Sequence, residues 1–166
     1  RWFVSALYKL AFRNSNRVFF QNRDDLGLFL EDRLVKKELT DVLPGSGINL
    51  HRFTPFCYAD RKPLASSFRF LLIARMLKDK GVVEFVNAAQ LLKESGVKAE
   101  FCLLGFLDVQ NPAAISSEQM KEWTDQGFVK YLGVSDDVHE HIASADCIVL
   151  PSYREGTPRT LLEAAA

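Results

Sequence analysis

The sequence predicts an α/β fold in which helices cover both faces of a doubly wound parallel sheet. Short, nearly continuous apolar runs such as FRFLLIA at 68–74 alternate with longer stretches of helical periodicity. Strands without alternating polarity are typical of a parallel sheet that is buried on both faces. The composition, 48% hydrophobic and 25% charged over 166 residues, suits a soluble globular chain with one sizeable core.

The first part of the chain predicts two helices and two short strands. In order, these are a helix at 3–13, a strand at 17–21, a helix at 24–34, a strand at 41–43 and a loop or linker at 44–56. Asp24 and Asp25 support the second helix, because negative charge is favourable in a first turn. The Gly, Pro and Asn content of 44–56 indicates irregular structure.

From residue 68 onward strands and helices alternate regularly. The predicted elements are a strand at 68–74, a helix at 82–95, a strand at 99–105, a helix at 117–126, a strand at 129–133, a helix at 136–145, a strand at 146–151 and a helix at 158–166. Right-handed crossovers place the carboxyl ends of all four strands at one edge of the sheet. Open α/β sheets bind their ligands at that edge.

Bulk charge and apolar runs exclude two classes of function. The 21 basic and 21 acidic residues cancel, so nothing global argues for wrapping nucleic acid. No apolar run reaches the roughly 18–20 residues of a membrane span, and the first residues do not form a signal peptide. The basic, apolar stretch at 1–23 is open to two interpretations, a docked helix with a solvated basic face or a helix on an anionic membrane surface.

The cysteines predict a reducing, cytoplasmic environment. Cys57, Cys102 and Cys147 are odd in number and widely spaced, which is typical of buried thiols and not of a disulfide or zinc framework. The chain opens on Arg1 and closes inside a helical pattern at Ala166. We therefore expect it to be a fragment of a longer protein.

ARMLKDKG at 74–81 is the first candidate for a ligand site. It places Arg75, Lys78 and Lys80 between a strand and the amino end of the next helix, where the helix dipole favours anions. A bound diphosphate would explain these cations, because backbone N–H groups, guanidinium and ammonium would converge on its oxygens. A solvated surface turn is an equally open interpretation.

REGTPRTLLEAAA at 154–166 is the second candidate. Gly156 lets the backbone approach a ligand, Thr157 can cap a helix and Pro158 suits a first helical position. Glu155 precedes the helix and Glu163 lies more than one turn inside it, so the two suit separate contacts on one extended ligand. A capped amphipathic helix with two exposed carboxylates remains the alternative.

Other motifs carry weaker signals. GSGIN at 45–49 has two glycines of a dinucleotide fingerprint, but Leu50 occupies the third position, so a nicotinamide or flavin site is not predicted. His139 and His141 are two apart on a helix and point to different faces, which disfavours a metal pair. No P-loop and no nucleophile elbow occurs in the sequence.

Five motifs in a fixed order resemble the retaining glycosyltransferases of the group 1 (family 4) type, which are built on the two-domain GT-B architecture. They are VLPGSGINLHRF at 42–53, IARMLKDKG at 73–81, LLG at 103–105, VKYLGVSDDV at 129–138 and ADCIVLPSYREGTPRTLLEA at 145–164. Arg75 to Lys80 matches R-x4-K, and Glu155 to Glu163 matches E-x7-E. FFQNRDD and PGSGIN are most similar to bacterial members that extend lipid-linked polysaccharides and glycans.

The resemblance implies a role for each matching residue. Arg75 and Lys80 would hold the donor diphosphate and stabilise the leaving nucleotide, and Glu155 would contact hydroxyls of the transferred sugar. These three are the expected catalytic residues. The remaining donor-binding residues that the resemblance implies are Gly47, Gly105, Tyr131, Leu132, Gly133, Val134, Gly156, Thr157, Pro158 and Glu163, with Glu163 on the ribose and 131–134 beside the base.

The resemblance also implies the reaction. A hexose or N-acetylhexosamine would pass with retention from a nucleotide-diphosphate sugar, a UDP-sugar first of all, to a glycan or lipid-linked glycan acceptor. No metal and no cofactor would be needed, because the two cations neutralise the charge. The protein would be cytoplasmic and would not bind nucleic acid, with peripheral contact to the inner face of the membrane through the part of the N-terminal domain that is missing from this chain.

The resemblance divides the chain into two parts. Residues 1–44 would end an N-terminal acceptor domain and its linker, and residues 45–166 would form an incomplete, Rossmann-like C-terminal donor domain. The fragment alone would then be inactive. GFLD after Leu104 has less glycine than many relatives, which puts the contact at Gly105 in doubt. A GT-B epimerase or phosphorylase and a non-catalytic sugar-nucleotide-binding domain are the alternatives.

Overall fold

The computed structural model describes residues 2–43, 45, 47–53, 67–107 and 110–166. Contacts divide them into two compact units, one of residues 1–47 with 156–159 and the other of residues 48–155 with 160–166. Part of the expected linker (residues 44, 46 and 54–56) and Cys57 lie outside the described residues. The assignment of the first part to an acceptor domain stays a prediction.

The first unit contains two helices and a two-stranded parallel sheet. Its elements are α1 (Trp2–Phe12), β1 (Val18–Phe20), α2 (Arg23–Glu31), a 3-10 turn (Lys37–Leu39) and β2 (Thr40–Val42). Val18 pairs with Thr40, and Phe20 with Val42. The order of these elements confirms the sequence prediction, with each end shifted by a few residues.

Side chains of the first unit explain how its helices are held. Asn22 caps α2, and its side chain accepts from the backbone N–H of Asp25 at 2.7 Å. Tyr8 of α1 makes an edge-on contact with Phe29 of α2, with ring centroids 4.9 Å apart. One side of α1, the basic helix, is therefore docked against α2, which agrees with the first of the two interpretations of the stretch at 1–23. Trp2 and Leu10 stay exposed.

The second unit is a four-stranded parallel sheet with helices between its strands. Its elements are β3 (Phe68–Ile73), a 3-10 turn (Lys78–Lys80), α3 (Val82–Glu94), β4 (Ala99–Leu104), α4 (Ser117–Asp125), β5 (Lys130–Tyr131), α5 (Val138–Ala143), β6 (Cys147–Ile148) and α6 (Arg159–Ala165). The strand order is β5-β4-β3-β6, and all pairs are parallel. This order confirms the doubly wound α/β prediction.

Hydrophobic side chains cover both faces of this sheet. Leu72 and Leu103 face a cluster that includes Val82, Phe85 and other residues of α3 and α4. The opposite face carries Leu71, Cys102 and Leu104 against Ala145. Buried faces on both sides explain why the strands lack alternating polarity in the sequence. Cys102 is buried as expected, and burial raises the pKa of its thiol to about 11.

Several predicted elements are shorter than expected, among them β5, β6 and α6. β6 ends at Ile148, and Pro151, which the prediction included, has no N–H to donate to a ladder. β5 ends at Tyr131 because Gly133 adopts a left-handed conformation (φ 77°). α6 begins at Arg159, so Pro158 precedes the helix instead of opening it. Among the described residues, no helix is long and apolar enough to cross a membrane.

Candidate active site

The site lies where the strand order of the four-stranded sheet reverses. The chain passes from β3 to β4 and β5 on one side, and β6 then returns to pair with the other side of β3. Such a reversal opens a crevice outside the carboxyl ends of β3 and β6, where α/β sheets bind ligands. The loops that follow β3 and β6 carry the two strongest sequence motifs.

An ion pair joins these two loops. Lys80 Nζ donates to Glu155 Oε1 at 2.6 Å, and each side chain is about a quarter exposed (23% and 25%). Lys80 is held in place by the 3-10 turn Lys78–Lys80, in which its N–H donates to Leu77 O at 3.1 Å. Residues that are 75 positions apart in the sequence therefore meet at the crevice.

Close backbone approach explains the glycine that follows Lys80. Gly81 has a left-handed conformation (φ 73°), and a Cβ there would lie 2.3 Å from the carbonyl oxygen of Pro151. A side chain at this position would force the two loops apart. Gly81 also precedes α3, so it directs the backbone from the Lys80 turn into the helix.

The surroundings of Glu155 keep its carboxylate charged. Burial raises the pKa of Glu155, but hydrogen bonding and charge from Lys80 and the charge of Arg75 outweigh it, so the pKa lies below its ordinary value. A hydrogen bond from Ser152 adds to this lowering, although among the described residues its buried Oγ has no partner of ordinary geometry. Arg75 itself is exposed, immediately after β3. The three predicted catalytic residues thus belong to one electrostatic cluster.

Gly105, Tyr131 and Gly133 form a second connected group at the same edge. Tyr131 Oη donates to Gly105 O at 2.8 Å, and Gly105 N–H donates to Gly133 O at 2.8 Å. Gly105 has a φ of 140°, and a Cβ on it would lie 1.9 Å from Ala74 O. Only glycine allows this approach of the β4 end to the loop after β3. Leu132 and Val134, in the adjoining loop, are exposed.

The remaining predicted residues are divided between the two units. Gly156, Thr157 and Pro158 belong to the first unit, as does Gly47, which has a left-handed conformation (φ 69°). The Thr157 hydroxyl donates to Gln21 O at 3.4 Å, and its expected role as the cap of α6 stays a prediction. Glu163 belongs to the second unit and lies half-buried on α6. Donor contacts by these residues stay predictions.

Sequence reasoning missed Tyr153, although it lies between Ser152 and Glu155. Tyr153 Oη donates to Glu84 Oε1 of α3 at 2.6 Å. The only sequence signal was its place inside PSYREG, because its partner is 69 positions away. Within the described part of the chain, no group of three or more His, Cys, Asp or Glu side chains could hold a metal ion.

A doubly wound sheet with a cation–carboxylate pair at its reversal point defines the class of site, the ligand crevice of an open α/β sheet. Comparison with known proteins then gives the family. The model of the family "Glycosyl transferases group 1" matches residues 67–166, more than half of the chain. The chain belongs to this family.

Curated relatives match almost the whole chain. It is 35% identical, over 100% of its length, to the N,N'-diacetylbacillosaminyl-diphospho-undecaprenol alpha-1,3-N-acetylgalactosaminyltransferase of Campylobacter jejuni. It is 25% identical, over 97% of its length, to the UDP-Gal:alpha-D-GlcNAc-diphosphoundecaprenol alpha-1,3-galactosyltransferase of Escherichia coli. The chain spans 44% of each of these relatives. Both are transferases, so they do not favour the epimerase or phosphorylase alternative.

Solved structures agree on the fold. The chain matches Anabaena HepE in complex with UDP and glucose with a TM-score of 0.72 at 20% identity, covering 96% of this chain and 46% of that one. It also matches a glycosyltransferase from Rickettsia africae with a TM-score of 0.70 at 17% identity. That match covers 95% of this chain and 45% of the Rickettsia chain. The mixed α/β fold with parallel sheets is thus similar to GT-B glycosyltransferase structures, as the sequence predicts.

Proposed function

We propose that the chain forms the donor half of a glycosyltransferase that moves a hexose or N-acetylhexosamine from a UDP-sugar to a lipid-linked glycan. The observation that carries this proposal is the Lys80–Glu155 ion pair at the reversal point of the sheet. The names of the two bacterial relatives, one of which specifies UDP-Gal, support the donor and acceptor classes.

The ion pair suggests how the donor is recognised. A diphosphate carries more negative charge than a carboxylate, so it competes with Glu155 for the Lys80 ammonium and adds Arg75 as a second cation. Glu155, released from Lys80, can then accept hydrogen bonds from sugar hydroxyls. Lys80 and Arg75 would stabilise the charge that develops on the leaving nucleotide, and no protein-bound metal is required for this role.

Donor binding tests the proposal first. The full-length protein is screened by thermal shift against UDP-, GDP- and ADP-sugars, because a ligand that binds only the folded state raises the unfolding midpoint. UDP-sugars are expected to give the largest shift. The shift is expected to persist in EDTA. If no nucleotide sugar changes the midpoint at millimolar concentration, the donor site is wrongly assigned.

Transfer to an acceptor tests the catalytic roles. Lys80→Met is expected to lower the transfer rate by about 10²-fold or more, the usual loss when one charge-stabilising donor is removed. Lys121→Met is the matched control, since Lys121 forms an exposed ion pair with Asp125 on α4, outside the site. Equal rates for Lys80→Met and the wild type would contradict the proposal. The anomeric configuration of the product, read by NMR, decides whether transfer retains configuration.

Peripheral membrane contact completes the proposal. The names of the relatives specify undecaprenol-linked sugars. Trp2, Phe3 and Leu10 are exposed on α1, and the same stretch of sequence carries Lys9 and Arg13. Sedimentation of the full-length protein with anionic vesicles, compared with neutral phosphatidylcholine vesicles, measures this contact. We expect preferential binding to the anionic vesicles that weakens with salt. Equal recovery in both supernatants would contradict it.

A further inference from the structure

Residues 151, 153 and 155 of the loop after β6 each contact the segment that opens α3. The carbonyl of Pro151 packs on Gly81, at the position where a Cβ would meet it at 2.3 Å. The N–H of Tyr153 donates to Asp79 O at 3.1 Å. Glu155 accepts from Lys80 at 2.6 Å. The position of the Glu155 carboxylate therefore depends on how this loop is fixed to residues 79–84.

Tyr153 is the middle of these three attachments and makes two hydrogen bonds. Besides its N–H, its hydroxyl donates to Glu84 Oε1 at 2.6 Å. This hydrogen bond lowers the pKa of Glu84 and raises the pKa of Tyr153, so at neutral pH the phenol is the donor and the carboxylate the acceptor. The residue is 74% exposed, so burial of its ring does not hold it in place.

We propose that Tyr153 is a positioning residue, whose hydroxyl bond to Glu84 holds the loop so that the Glu155 carboxylate stays at the crevice, beside Lys80, when the donor diphosphate takes its place on the ammonium. This inference rests on the proposed function of Lys80 and Glu155 as donor contacts. Tyr153 itself touches no substrate in this account. It acts on donor recognition by fixing the backbone two residues before Glu155, and small displacements of positioning groups are costly for transfer.

The test uses Tyr153→Phe, Glu84→Gln and the double variant of the full-length enzyme. Each single variant is expected to lower kcat/KM for the donor about tenfold, since the aromatic ring and the side-chain shapes are kept and only the hydroxyl–carboxylate bond is weakened. The double variant is expected to be no worse than Tyr153→Phe alone, because that change already removes the hydrogen bond that Glu84→Gln weakens. For Tyr153→Phe, the KM for the acceptor and the unfolding midpoint are expected to stay at wild-type values.

Glu94→Gln is the matched control. Glu94 also lies on α3 and accepts an exposed hydrogen bond, from Gln90 Nε2 at 2.8 Å, but it is more than two turns from Glu84. This variant is expected to keep wild-type kinetics. If Glu94→Gln lowers kcat/KM as much as Glu84→Gln does, the loss comes from removing any carboxylate of this helix, and the inference is overturned.

The outcomes separate this inference from the proposed function. If Tyr153→Phe transfers like the wild type while Lys80→Met is inactive, Tyr153 has no positioning role and the donor site stands. If Tyr153→Phe loses activity and the double variant loses clearly more, the two side chains act independently and not through one hydrogen bond, and the inference is wrong. If Lys80→Met and Glu155→Gln both transfer normally, the proposed function fails and this inference fails with it.

Discussion

For Lys80 and Glu155, residue types and spacing predicted the location of the site but not the contact between the two side chains. The sequence placed each of them at the edge where parallel strands end, and only the family resemblance assigned both to one nucleotide-sugar donor. Their direct contact at 2.6 Å could not be predicted, because it depends on β6 returning beside β3 across 75 positions. The same limit applies to Tyr153 and Glu84, whose hydrogen bond joins a loop to a helix 69 positions away.

Glu100 provides a prediction of pH-dependent stability away from the site. Its side chain, 14% exposed, accepts hydrogen bonds from Arg69 on β3 and Lys130 on β5. Burial raises the pKa of Glu100, but Lys130 and Arg69 outweigh it and leave the pKa below the ordinary 4.5. The ion pairs therefore stabilise the fold above about pH 4.5, and this stability is lost as the pH falls through the lowered pKa.

Glu100→Gln tests this account. The free energy of unfolding at pH 7, measured in urea, is expected to fall by about 1–2 kcal/mol, because two hydrogen bonds to a charged acceptor are weakened. The difference from the wild type should shrink as the pH is lowered below 4.5 and vanish once Glu100 is protonated. A difference that stays constant from pH 7 to pH 3 would show that the carboxylate charge is not its cause.

Helices and strands were predicted most reliably where apolar patterns are long. β3, β4 and α3 were placed to within one residue at each end, because their side chains form the buried clusters on the sheet faces. The 3-10 turn Lys78–Lys80 was not predicted, since three residues carry no periodic pattern. That turn nevertheless sets the direction of Lys80. The structural detail that the sequence did not predict therefore belongs to the site, whereas the core elements were predicted.

The loop after β6 lies close to the start of α3. We therefore expect two glycine substitutions to lower the free energy of unfolding by different amounts. Gly81 and Gly96 both have left-handed conformations (φ 73° and 76°), but only Gly81 would place a Cβ against backbone, 2.3 Å from Pro151 O. Gly96→Ala is expected to cost about 1 kcal/mol for the conformation alone. Gly81→Ala is expected to lower the free energy of unfolding by the same conformational amount and by about 1–3 kcal/mol more, because its Cβ clashes with the backbone of Pro151. Urea unfolding measures both, and equal losses would contradict the close approach.

Lys93 links two helices of the second unit. Its Nζ donates to Gln126 O at 2.7 Å, at the carboxyl end of α4, and lies 5.4 Å from the centre of the Phe128 ring. Lys93→Met is expected to lower the free energy of unfolding by about 0.5–1 kcal/mol, because a cation is removed from a helix C-terminus and an aromatic face. Lys98→Met, an exposed lysine beyond α3, is the control. Equal unfolding curves for the two variants would contradict this role.

At the scale of the whole molecule, the fold was more predictable than the site. Alternation of apolar strands and helices was sufficient for the doubly wound sheet, and the reversal of strand order locates a crevice without reference to any ligand. Donor contacts by Gly47, Gly156, Thr157 and Glu163 depend on a bound nucleotide sugar and stay predictions. The chain spans under half the length of its curated relatives, so acceptor recognition is also a proposal.

Calorimetric titration of UDP into the full-length protein tests the central claim most directly, namely that the loops after β3 and β6 form a diphosphate site around Lys80. The wild type and Lys121→Met are expected to bind UDP with the same affinity, and Lys80→Met at least about tenfold more weakly, since a charge-assisted contact to phosphate is worth about 1.5–3 kcal/mol. UDP binding of equal strength by Lys80→Met and the wild type would contradict the claim.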